Sequence, residues 1–137
     1  MKATTVLLLL TIAGLSMPVQ AAEPQTLSCE GTKTGYGGAE PQKLSTTLFL
    51  NFTAEKVESS GLSPFLNGGK IVQVTETTVY LDSQIFKDDK LDISTGSLDR
   101  VTGVLVGDAV TYKGDTARAD KIVGGYRFSL KCAPVQR

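Results

Sequence analysis

The chain has no histidine and no tryptophan, only two cysteines, and no dense cluster of Lys or Arg. Each absence removes a class of function. Without histidine there is no imidazole to serve as general base, the commonest zinc ligand is missing, and no Ser-His or Cys-His nucleophile pair can be built. Two carboxylates facing each other across a cleft could still support glycoside hydrolysis, but no spacing in the sequence marks such a pair. The expectation is a protein that is not an enzyme, with no catalytic residue, no metal site and no cofactor. The charges balance to a formal net of zero, and without a basic patch neither nucleic acid nor an anionic membrane surface is an expected partner.

Motifs that come close fail on inspection. Gly68-Gly69-Lys70 has the ending of a phosphate-binding loop, yet Pro64 stands where its first glycine belongs and Ile71 follows the lysine instead of Ser or Thr. Asp88, Asp89 and Asp92 are interleaved with Lys87 and Lys90 and lack the alternating acids and glycine of a calcium loop. Both segments read as turns.

The informative stretch that is present is the start of the chain. Lys2 precedes the apolar run Val6 to Leu15, which is too short to cross a bilayer, and Val19-Gln20-Ala21 supplies a small-residue exit. That order of basic, apolar and cleavable segments predicts a signal peptide over residues 1–21, and a single β-domain over 22–137 working in the periplasm or secreted. No cysteine stands at the cleavage point, so no lipid anchor is expected. No second apolar run is long enough for a membrane helix, and the absence of tryptophan with short strands argues against an outer-membrane barrel. In an oxidising compartment the two cysteines, Cys29 and Cys132, are expected to form one structural disulfide.

The mature part alternates in steps of two. Leu27 and Cys29 oppose Ser28 and Glu30; Leu48 and Leu50 oppose Thr47 and Asn51, with Phe49 as an apolar exception; Tyr126, Phe128, Leu130 and Cys132 oppose Arg127, Ser129 and Lys131. No window shows the helical period. Turn residues at Gly35-Tyr36-Gly37-Gly38, Ser59 to Pro64, Asn67-Gly68-Gly69, Lys87 to Lys90 and Gly107-Asp108 punctuate the strands, and Lys113 to Lys121 reads as a polar loop. The expected fold is all-β: a small antiparallel β-barrel of about eight short strands, closed because the first and last strands carry the cysteines. A two-sheet β-sandwich is the alternative.

One charged pair stands out. Asp99 and Arg100 lie within Leu98 to Val106, read as a β-branched strand that Gly107-Asp108 ends. Adjacent strand residues face opposite ways, so one charge is expected to need a partner inside. The pair is either structural, as an ion pair or an arginine capping backbone carbonyls, or it is a polar anchor at the mouth of a ligand pocket lined by Tyr80, Tyr112 and Tyr126.

The segment Gly96-Ser97-Leu98-Asp99-Arg100-Val101-Thr102-Gly103, with Tyr126 to Cys132, resembles small exported bacterial proteins of unknown function, which implies no activity. Leu27-Ser28-Cys29-Glu30-Gly31 is similar to the opening strand of periplasmic inhibitors of C-type lysozyme, and that resemblance implies a small disulfide-bonded β-barrel. The Ser-Gly-x-x-Tyr loop that this family inserts into the enzyme has no counterpart, because Ser60-Gly61-Leu62-Ser63 is not followed by Tyr. The expected function is an exported non-catalytic binding protein whose partner is an envelope protein or a small apolar ligand. Inhibition of an extracellular enzyme such as a lysozyme is the alternative.

Overall fold

The computed structural model describes residues 24–61, 66 and 68–135. The signal peptide read at residues 1–21 lies outside them, as do residues 62–65 and 67 of the loop and turn read between Ser59 and Gly69. Eight strands run in order: β1 (Gln25–Gly35), β2 (Gln42–Asn51), β3 (Lys56–Gly61), β4 (Gly69–Val74), β5 (Thr78–Lys87), β6 (Lys90–Asp99), β7 (Val104–Lys113) and β8 (Ile122–Pro134). A single 3-10 turn, Ala119–Lys121, precedes β8. Each strand pairs antiparallel with the next and β8 returns to β1, so the sheet closes into an up-and-down barrel and the sandwich is set aside. No helix among the described residues is long and apolar enough to cross a membrane.

Alternation decides which side chains enter the barrel. Phe128, Leu130 and Cys132 are buried on β8 while Arg127, Ser129 and Lys131 are exposed; on β2, Leu44, Thr46, Leu48 and Leu50 point in while Phe49 stays 44% exposed. Each leucine removed from water contributes about 1.5–3 kcal/mol before conformational entropy is subtracted. One core residue comes from outside the strands. Leu66, in the β3–β4 connection, is fully buried, and its Cδ1 lies 3.6 Å from the place a Cβ on Gly96 would take. The missing side chain on β6 leaves the space that Leu66 and Leu105 fill.

The barrel has one strong seam and one thin one. Along β1 and β8 the register runs from Leu27↔Pro134 to Gly35↔Tyr126, and Cys29 sits directly opposite Cys132. The two are joined as a disulfide across a sequence separation of 103 residues. Closing a loop of that length stabilises a fold by up to about 4.7 kcal/mol in the chain-entropy account. Between β3 and β4 the register consists of Lys56↔Lys70 and Val57↔Gly69, continued by the Ile71 amide donating to the Glu55 carbonyl at 3.0 Å. Gly69 is required there, since a Cβ would fall 2.8 Å from the Asp82 carbonyl oxygen and 2.9 Å from Val57.

One local reading is corrected. β6 ends at Asp99, the chain turns over Arg100 to Gly103, and β7 then runs without a break through Gly107 and Asp108. The turn forms early because Asp99 Oδ1 accepts from the Val101 and Thr102 amides at 2.8 and 3.0 Å, and Gly103 supplies a positive φ of 77°. The turn expected at Lys87 to Lys90 does join β5 to β6, with Asp88 and Asp89 both at positive φ.

Candidate functional site

On the outer face of β5–β8 lies a groove of about 850 Å³. Strand register builds it row by row. Tyr80, Ser97 and Val106 stand side by side on β5, β6 and β7, and the next row carries Asp82, Thr95, Asp108 and, on β8, Arg127. Gly96 and Gly107 pair beneath them, both without a side chain toward the core. A Cβ on Gly107 would fall 2.6 Å from the Phe128 ring. A Cβ on Gly96 would come 3.3 Å from Leu105, so at both glycines core side chains pack directly on the strand backbone beneath the groove. Val72 completes one wall. It occupies the register shift between Ile71 and Gln73 in β4 and is left 56% exposed, as a bulge re-aims a side chain.

The polar end of the groove is a three-residue cluster. Arg127 Nε lies 3.3 Å from Asp108 Oδ1, and the Tyr36 hydroxyl donates to the same oxygen at 3.2 Å. The Arg127 guanidinium also lies 5.9 Å from the centre of the Tyr36 ring. Tyr36 reaches this position from the β1–β2 turn by lying on Gly125, where any Cβ would overlap its ring, and by donating its amide to the Gly125 carbonyl at 3.2 Å. Burial first, and then the neighbouring Asp108 carboxylate, hold the Tyr36 phenol above its ordinary ionisation range. Asp108 is therefore already paired within the cluster. The carboxylate of Asp82, half-buried in the same groove, takes no hydrogen bond or ion pair from any of the described residues, although Lys70 stands opposite it on β4. That free carboxylate is flanked by Val72, Tyr80 and Ile93.

Asp99 and Arg100 are elsewhere, at the opposite end of the barrel from the β5–β6 hairpin. With Gln25, Leu27, Val79, Leu98, Gly103, Cys132 and Pro134 they line a recess of about 250 Å³ at the barrel mouth. Neither charge is buried within a strand. Asp99 clamps its own turn, and the Thr102 and Val101 amides hold its carboxyl below the usual carboxylate range. Arg100 crosses to the β4–β5 turn, donating from Nη1 to the Thr75 carbonyl at 3.0 Å and from its amide to the Thr77 carbonyl at 2.7 Å. The arginine thus caps backbone carbonyls, and the two form no ion pair with each other.

The three tyrosines do not share a pocket. Tyr80 lines the outer groove, Tyr112 lies outside in a different row beside Leu91, and Tyr126 faces inward, with Lys33 Nζ 5.0 Å from its ring centre and Phe128 at 6.3 Å. Tyr36, Asp108 and Arg127 were each visible in the sequence but not as a unit. Tyr36 read as part of a glycine loop, Asp108 as part of a turn and Arg127 as an outward strand residue. Only the pairing of Asp108 with Arg127 across β7 and β8 brings them together.

Among the described residues no group of three or more Cys, Asp or Glu is placed to hold a metal ion. A disulfide-bonded small β-barrel is compatible with an extracellular or periplasmic location. No protein-family model, no curated protein and no solved structure matches the chain.

Proposed function

We propose that this is an exported, non-catalytic binding protein that docks on another envelope protein through the outer groove of β5–β8, which receives a basic side chain set among apolar ones. The observation that carries this is Asp82, a half-buried carboxylate without a partner among the described residues, in a groove walled by Val72, Tyr80, Ile93 and Val106. A half-buried charge gains most from an opposite charge that arrives already surrounded by apolar surface, because the pair is then shielded from water. Leu48, Leu66, Leu105 and Leu130 fill the middle of the barrel. That packing favours docking over carriage of a small apolar ligand in the core.

Site-specific photo-crosslinking in the producing cell tests the reading. A photoreactive residue at Val106 should give a discrete protein adduct, one at Phe49 on another outer face should not, and Asp82→Lys should abolish the first. Equal labelling from both positions, or an adduct unaffected by Asp82→Lys, would sink the proposal.

The second reading, inhibition of an extracellular enzyme such as a lysozyme, draws support from Tyr36. This aromatic side chain is 45% exposed at the groove rim, just before Gly37 and Gly38 at positive φ, and a disulfide-bonded barrel is the fold that the resemblance implies. Undiminished lysozyme turnover in excess protein removes it.

A further inference from the structure

The recess at the barrel mouth has a property the outer groove lacks: its cation is underused. Asp99 is satisfied by two backbone amides, and Lys131 donates to the Thr102 carbonyl. A guanidinium carries five N–H donors. Arg100 uses one on the Thr75 carbonyl, a neutral acceptor, and no carboxylate of the described residues lies within ion-pair distance of it. The bond to Thr75 spans the gap between two turns and leaves the remaining donors of the guanidinium at the recess that Arg100 lines. Below it the lining turns apolar, with Leu27, Val79 and Leu98, each no more than 7% exposed. Barrel mouths with an apolar floor and a few fixed polar groups are a common setting for small ligands.

We infer that this mouth binds a carboxylate bearing a short aliphatic group, with Arg100 taking the carboxylate and Leu27, Val79 and Leu98 taking the tail. A planar guanidinium matches a carboxylate in a two-pronged arrangement that a lysine does not reproduce. The volume of about 250 Å³ limits the tail to a few carbons and rules out a full-length fatty chain. Two sources present this chemistry, a free short-chain acid and a peptide C terminus ending in an aliphatic residue. The site does not depend on the docking groove, which lies on the outer wall.

Backbone amide NMR of the oxidised mature protein, titrated with sodium hexanoate, N-acetyl-leucine and hexanol, tests it. At least one of the two carboxylates is expected to give saturable shifts at Leu27, Val79, Leu98 and Gly103, with Val106 and Gly107 in the groove unmoved. Hexanol should bind about tenfold more weakly, because it lacks the charge-assisted bonds to Arg100. Preference for hexanoate identifies free acids as the source, and preference for N-acetyl-leucine identifies a peptide C terminus. Arg100→Gln should weaken binding about tenfold and Arg100→Lys by less, with each variant's spectrum reporting that it is folded. Three results overturn the inference: no saturable shift at millimolar carboxylate, hexanol binding as well as hexanoate, or full binding by folded Arg100→Gln.

Discussion

The β1–β8 seam and the β3–β4 seam close the same barrel by different means. At β1–β8 a long ladder and a covalent bridge hold chain ends that are far apart in sequence. At β3–β4 two register pairs are continued by one more backbone bond, and the closure depends on side chains: Val57 and Leu66, both fully buried, with Gly69 pressed between Val57 and Asp82. A closed barrel therefore need not be evenly bonded around its circumference. Where the ladder is short, packing replaces it.

The largest expected effect tests the strong seam. Replacing both Cys29 and Cys132 with Ala should cost about 2–5 kcal/mol in urea unfolding, mostly by freeing the unfolded chain. If the loss is under about 1 kcal/mol, the β1–β8 ladder holds without its bridge and the contrast between the seams weakens. Leu66→Ala comes next, at about 3 kcal/mol, because it removes a buried side chain that fills the space over Gly96. Amide exchange should accelerate at Ile71 before it does at Cys132; uniform acceleration would mean that Leu66 supports the barrel as a whole and not the thin seam. Gly69→Ala should cost about 1–3 kcal/mol through overpacking. A neutral result would show that the thin seam yields easily.

The smallest effect lies away from both seams, in the turn that Asp99 clamps. Its folded carboxyl is held below the usual range by the Thr102 and Val101 amides. That contribution is complete above the unfolded carboxylate pKa and is lost as pH falls through the lower folded value. Asp99→Asn should therefore lower stability slightly at neutral pH and converge on the parent protein in acid, which flattens the acid limb of the stability curve. An acid limb of identical steepness would show that the clamp does not depend on the charge.

Period-two alternation made β1, β2 and β8 readable, because one side of each strand meets the core and the other meets water. The same rule predicted that Cys29 and Cys132 share the inner face. It could not reveal Leu66, which lies in a connection without any period yet is fully buried, packed over the bare backbone of Gly96. It misplaced the β6–β7 turn as well. Gly107-Asp108 has the composition of a hairpin, but Asp99 bonding the amides ahead of it turns the chain earlier, and Gly107 serves instead to admit the Phe128 ring. The groove cluster was illegible for a related reason, since Tyr36 and Asp108 are 72 residues apart.

By itself, then, the sequence determined the all-β class, the inward faces of the clearest strands and the pairing of the only two cysteines, since each follows from local periodicity or from having no other partner. The tertiary structure decided what register and closure decide. It formed a barrel and not a sandwich, turned Asp99 and Arg100 into a turn clamp and a carbonyl cap at the barrel mouth, and separated Tyr80, Tyr112 and Tyr126. It also gathered Tyr36, Asp108 and Arg127 beside an unpaired Asp82. Those outcomes depend on which residues stand opposite one another across neighbouring strands, and that alignment is set only when the whole sheet closes.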